Sequence, residues 1–90
     1  MNKLQILQSS LEPRIDEIIN YQINIDNYIR AIAKIDVEYT DNPAMVEFRD
    51  RLVDLLESHK IEQLKAIIIR DVITDQITEL EASSNTLTND

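Results

Sequence analysis

Apolar side chains recur at alternating steps of three and four residues from Leu4 to Tyr39, and this repeat constrains the fold more than any other feature of the chain. A period of about 3.5 residues places its members along one side of a helix, whereas a strand would alternate every second residue. The members are Leu4, Leu7, Leu11, Ile18, Tyr21, Ile25, Tyr28, Ile32, Ile35 and Tyr39, and only Arg14 interrupts them. We therefore predict a long helix with a packing seam. A kink or very short break is expected at Pro13, with Ser9 or Ser10 as the cap of the next segment.

The stretch from Tyr39 to Pro43 is the clearest turn signal in the sequence. Asn42 followed by Pro43 is typical of a helix start, because Asn caps backbone N–H groups and Pro fits the first helical position. A second helix is therefore predicted from Pro43. Its apolar residues form an early face (Met45, Phe48, Leu52, Leu55, Leu56) and later faces (Ile61, Leu64, Ile68, Val72, and Ile69, Ile73, Ile77, Leu80).

The polar trio Ser58–Lys60 falls where these two faces of the second helix meet. No Gly, Asn or Pro stands there to reverse the chain, so we expect one rod of about 38 residues whose buried face rotates. A bend at residues 58–60 into a third helix is the alternative, and it would give a monomeric three-helix bundle. Residues 82–90 lack an apolar period and are predicted to form a flexible acidic tail after a single helical domain, residues 1–81.

The fold class predicted is all-α, an antiparallel hairpin of two long helices, because helices of similar length joined by a short turn fold back on each other. In this register the numbers of paired residues add to about 84, which brings Arg14 opposite Asp71 and predicts an ion pair between them. A hairpin leaves part of each helix uncovered. The surplus isoleucines Ile15, Ile19, Ile29, Ile67 and Ile69 predict an oligomer interface, with dimerisation into a four-helix bundle favoured.

Composition excludes several classes of function. The 90 residues contain no Gly and no Cys, which disfavours phosphate-binding loops and removes disulfides, thiolate metal sites and cysteine nucleophiles. His59 is the only histidine, and no glycine-bounded elbow surrounds any serine. The inter-helix stretch partly matches a twelve-residue calcium loop, but Asp41 stands where that loop needs glycine. We predict no enzyme activity, no cofactor and no metal.

Charge points to a protein partner. The net charge is −8, which disfavours direct binding to nucleic acid or an anionic membrane. No apolar run suits a signal peptide or a membrane span, so we expect a cytoplasmic protein. Asp71, Asp75 and Glu79 recur every four residues, and a basic surface on a partner would offset their repulsion.

The leading functional hypothesis is a small acidic, non-catalytic interaction protein, a regulator or inhibitor that binds a larger protein through helical faces. Fifteen isoleucines with no glycine are typical of proteins from AT-rich genomes, such as those of many phages. We therefore expect a phage or mobile-element protein that acts on host machinery. One alternative is an oligomer that sequesters a small anionic ligand in a cleft formed by Tyr21, Tyr28, Arg30 and Lys34. Another alternative is a structural or assembly subunit.

Overall fold

The computed structural model describes residues 2–88, with side-chain surroundings for residues 2–83, and this range contains two α-helices and no strand. α1 spans Lys3–Glu38, α2 spans Pro43–Thr88, and residues 39–42 join them. The helices pack against each other in a body of 72 × 20 × 14 Å, which is one layer of helices thick. This is the predicted all-α hairpin. Because α2 runs without interruption through residues 58–60, the three-helix alternative is wrong.

α1 begins at a capping box and continues through Pro13. The Asn2 side chain accepts a hydrogen bond from the Gln5 backbone N–H (2.8 Å), and the Gln5 side chain accepts one from the Asn2 N–H (3.1 Å). The Ser10 hydroxyl donates to the Ile6 carbonyl within the helix (2.8 Å). A helix start capped by Ser9 or Ser10 and a break at Pro13 are therefore wrong, because α1 continues through Pro13. The kink there stays a prediction.

The start of α2 is as predicted. The Asn42 side-chain oxygen accepts hydrogen bonds from the backbone N–H groups of Ala44 (3.1 Å) and Met45 (3.2 Å). These are two of the N–H groups that a helix start leaves without partners inside the helix. Asn42 and Pro43 together therefore fix where the chain reverses.

Replacing Asn42 by alanine is expected to lower the free energy of unfolding by about 1 kcal/mol, because both N–H groups lose their acceptor. Asn42→Asp keeps an acceptor at the same place and serves as the control, with an expected change below about 0.5 kcal/mol. Urea unfolding followed by circular dichroism measures both variants. An alanine variant as stable as the parent chain would show that the cap contributes nothing.

Cross-helix contacts establish the register. Asp36 pairs with Arg49 near the turn, and Gln22 meets Gln63 further along the hairpin. Both pairs confirm the predicted alignment, in which paired numbers add to about 84.

The ion pair predicted between Arg14 and Asp71 is wrong. The Arg14 guanidinium contacts the Glu17 carboxylate on its own helix (2.9 Å), and the Asp71 carboxylate contacts Arg70 (3.1 Å). Each of the two side chains has an oppositely charged partner within one turn of its own helix, and neither forms an ion pair across the hairpin.

Burial along α2 keeps one phase from Met45 to Leu80, and the predicted rotation of the buried face is wrong. Buried and half-buried positions recur at steps of three and four, at Met45, Arg49, Leu52, Leu56, His59, Gln63, Ala66, Arg70, Ile73, Ile77 and Leu80. We call these residues the α2 seam. Polar side chains occupy the middle of the α2 seam, and Ile61, Leu64, Ile68 and Val72, expected on the buried side, are exposed.

The resulting core is thin. Within residues 2–83 the buried side chains are Ile25, Ile35, Leu52, Leu56, Ala66 and Ile77, and each keeps between 4% and 9% of its surface exposed. The other members of the predicted α1 seam are half-buried, except that Tyr39, its expected last member, is exposed.

α2 extends to Thr88, beyond the domain end predicted at residue 81. The flexibility of residues 82–90 stays a prediction, and residues 89 and 90 lie outside the described range.

Candidate interaction surfaces

Gln63 shows how the α2 seam accepts a polar side chain. Its amide nitrogen donates to the Ile18 carbonyl (3.2 Å) and to the Gln22 side-chain oxygen (2.9 Å). A half-buried amide with partners across the interface escapes the desolvation penalty that an unpaired one would carry. Gln63 therefore links the two helices where an apolar residue was expected.

His59 occupies the seam between two tyrosines. Its ring centroid lies 5.7 Å from that of Tyr21 and 5.1 Å from that of Tyr28, both in edge-to-face arrangement. Its Nδ1 lies 2.8 Å from the Leu55 carbonyl oxygen, a geometry suited to donation by Nδ1–H. The two tyrosines are thus part of the packing between helices.

The ligand cleft predicted from Tyr21, Tyr28, Arg30 and Lys34 is not assembled within one hairpin. Arg30 follows Tyr28 by two residues, which turns it by about 200° around α1, away from the seam. Arg30 and Lys34 are exposed, and the Lys34 ammonium pairs with Glu38 on the same helix (3.5 Å). A cleft containing all four residues would require two copies of the chain.

An ion pair closes the hairpin beside its turn. The Arg49 guanidinium donates through Nε and Nη2 to the two carboxylate oxygens of Asp36, with 3.2 Å between Nη2 and Oδ2. These hydrogen bonds and the attraction of the carboxylate raise the pKa of Arg49 above its usual value. The two-point contact fixes the register at this end of the hairpin.

One side of the hairpin carries four of the five isoleucines predicted as an oligomer interface. Gln22 lies one heptad from both Ile15 and Ile29, and Gln63 lies one turn before Ile67, so their hydrogen bond places these residues on the same side. The first three isoleucines are exposed and the last is half-buried. We call Ile15, Ile19, Ile29 and Ile67 the flank face.

The fifth isoleucine, Ile69, lies on another side of the molecule. It follows Ile67 by two residues and is therefore turned by about 200° around α2. Ile69 is exposed there. One flat interface can include Ile67 or Ile69 but not both.

A second regular series covers the side of α2 that faces away from α1. Its members are all exposed and follow steps of three and four: Glu47, Asp50, Asp54, Glu57, Ile61, Leu64, Ile68, Val72, Asp75 and Glu79. We call this series the outer face. It lies about half a turn from the α2 seam, since Ile61 follows His59 by two residues. Of the acidic residues predicted to meet a partner, Asp75 and Glu79 belong to it, while Asp71 lies to one side and pairs with Arg70.

The chain exposes more surface than a compact protein of its size. Its accessible surface is 6625 Å2, whereas a monomer of the same mass is expected to expose about 5,400 Å2. The excess is comparable to the roughly 800 Å2 that each partner contributes to an ordinary protein interface. The excess reflects the elongated shape of two helices packed in a single layer.

Comparison of the chain with protein-family models, curated proteins and solved structures gives no match. In the described residues, neither helix includes a segment with the length and apolar character that crossing a bilayer requires.

Proposed function

We propose that the chain is a small acidic, non-catalytic interaction protein that regulates or inhibits a larger protein by binding it through helix faces. The supporting observation is the extent of apolar surface that the hairpin leaves uncovered on its flank face and its outer face. The outer face has a regular helical spacing, which scattered surface residues would lack. Its cytoplasmic location and its phage or mobile-element origin remain predictions from composition.

Dimerisation through the flank face is the first part of this proposal. Ile15, Ile19 and Ile29 would meet the same side of a second hairpin, with Ile67 beside them, and form a four-helix bundle. Burying apolar surface is worth about 25 cal/mol per Å2, so several isoleucines per copy contribute several kcal/mol. That gain is large for a domain with so thin a core.

Sedimentation equilibrium tests this dimer. The parent chain is expected to sediment as a dimer and Ile19→Asp as a monomer, because the change buries a carboxylate in the interface. Ile6→Asp is the matched control, since Ile6 and Ile19 are equally exposed (51%) but about 220° apart around α1. A monomeric parent chain, or equal loss of the dimer in both variants, would contradict the flank-face dimer.

Binding to a larger protein is tested by recovering the tagged chain from its native cells and identifying what accompanies it. One stoichiometric protein partner, lost on substitution of an exposed face, would support the regulator. A large symmetric oligomer without a partner would instead indicate an assembly subunit. A rise in melting temperature with a small anionic compound would indicate the ligand-sequestering alternative.

A further inference from the structure

We infer that the outer face of α2 binds an amphipathic helix of a partner protein, one whose apolar stripe carries lysine or arginine at both ends. This inference rests on the proposed function and identifies its docking surface and the chemistry of its partner. Apolar anchors at helical spacing, set between charged residues, are the usual means by which one helix recognises another.

The centre of the outer face is apolar. Ile61, Leu64, Ile68 and Val72 expose between 49% and 56% of their surfaces, although residues of their kind are usually buried. They cover three turns, about 17 Å along the helix. The α2 seam lies on the opposite side and already packs against α1, so α1 cannot cover these four side chains.

Both ends of the outer face are acidic. Glu47, Asp50, Asp54 and Glu57 precede the apolar centre, and Asp75 and Glu79 follow it. Four of these carboxylates make no ion pair within residues 2–83, namely those of Glu47, Asp54, Asp75 and Glu79. Glu57 has only a neighbouring lysine on the same helix, at 3.5 Å.

Lys60 and Lys65 are the basic residues beside the apolar centre, and both already form ion pairs on the same helix. The Lys60 ammonium contacts the Glu57 carboxylate at 3.5 Å, and the Lys65 ammonium contacts the Glu62 carboxylate at 2.9 Å. The outer face therefore presents negative charge at its ends without a matching positive charge in its middle. A partner with basic ends would meet complementary charge at both ends.

Charge argues against a second copy of this chain on the outer face. In an antiparallel pair centred on the apolar residues, Glu57 would face Asp75 and Asp54 would face Glu79 of the other copy. In a parallel pair each acidic residue would face itself. Like charges in contact are unfavourable in either arrangement, so self-association is left to the flank face.

The dimensions of the outer face define the partner helix. It needs an apolar stripe about 12 residues long and basic residues about 18 residues apart, matching the interval from Glu57 to Asp75, which is about 27 Å. A synthetic, fluorescently labelled helical peptide of about 28 residues can carry both features. Its matched control has the same apolar stripe with glutamate in place of every lysine.

Fluorescence anisotropy with the full chain tests the inference. We expect the lysine-ended peptide to bind at least tenfold more tightly than the glutamate-ended one, and its binding to weaken as salt rises from about 50 to 200 mM. A third peptide with the same lysines and a scrambled apolar pattern should bind at least tenfold more weakly than the first. Equal binding of the ordered and scrambled peptides would overturn the inference, because charge alone would then explain it.

Ile68→Asp gives the sharpest result because it adds a negative charge to the outer face. Purely electrostatic binding of the lysine-ended peptide would tighten, whereas loss of an apolar anchor should weaken it at least tenfold. Ile6→Asp adds the same charge elsewhere and should leave the affinity within about twofold.

Two further measurements separate this inference from the proposed function. If Ile68→Asp dissociates the dimer in sedimentation, a second copy occupies the outer face and the inference fails while self-association stands. If a protein partner from native cells binds the Ile68→Asp chain as well as the parent chain, the docking surface is wrong but the regulator is not. If the chain binds neither a partner nor the lysine-ended peptide, both fail.

Discussion

Replacing Leu52 by alanine should lower the free energy of unfolding by about 2–4 kcal/mol, whereas the same change at Leu64 should lower it by less than about 1 kcal/mol. Leu52 is 4% exposed and belongs to the α2 seam, while Leu64 is 56% exposed on the outer face. Both substitutions remove the same atoms from the same helix. The difference between the two changes in the free energy of unfolding therefore measures the effect of burial.

Urea unfolding followed by circular dichroism gives both values, provided that all chains are compared at one concentration, because the stability of a dimer depends on it. Equal costs at Leu52 and Leu64 would mean that the buried face of α2 does rotate after residue 60. A cost at Leu64 that appears only at high protein concentration would mean that another copy covers the outer face.

The sequence allowed the first helix to be predicted well because its seam is almost entirely apolar. Ile25 and Ile35, two members of the predicted series, are buried, and the series runs unbroken to Ile35 apart from Arg14. Apolar period alone identifies such a seam, since no polar residue competes with it. The register also followed from the sequence, because a short turn leaves two long helices little freedom in how they align.

The second helix was harder to predict because, near its middle, polar residues lie in the seam and apolar residues are exposed. Gln63 and His59 lie in the seam, while Ile61 and Leu64 are exposed beside them. Hydrophobicity favours the two apolar residues as the buried pair. The hydrogen bonds of Gln63 to α1 and the packing of His59 on two tyrosines reverse that choice, and both depend on which side chains α1 presents opposite them.

Capping residues could be predicted from the sequence only where a single helix-start signal was present. Asn42 was predicted as a cap because a proline follows it directly, and its hydrogen bonds confirm the role. Asn2 was missed because Ser9, Ser10 and Pro13 form a more conspicuous start signal. The acidic residues Asp75 and Glu79 were predicted from spacing, yet their relation to the exposed apolar residues could be recognised only once the seam had been located.

Replacing Ser58 by proline should lower the free energy of unfolding by about 3 kcal/mol or more. Proline removes the N–H that bonds to the carbonyl four residues earlier, and its ring clashes with that carbonyl. Ser58 is exposed and lies between the seam residues Leu56 and His59, so the damage is to the backbone of α2 and not to a side-chain contact. Ser58→Ala is the control, with an expected change within about 0.5 kcal/mol.

The expected cost depends on position, because α1 already contains a proline. Pro13 lies in the first third of α1, so a weakened helix there loosens only the segment that precedes it. Ser58 lies near the middle of the paired length, where a break would uncouple Ala66 and Ile77, two of the buried residues, from the rest of the core. A cost below about 1 kcal/mol would contradict a single uninterrupted helix through residues 58–60, and with it the continuous outer face.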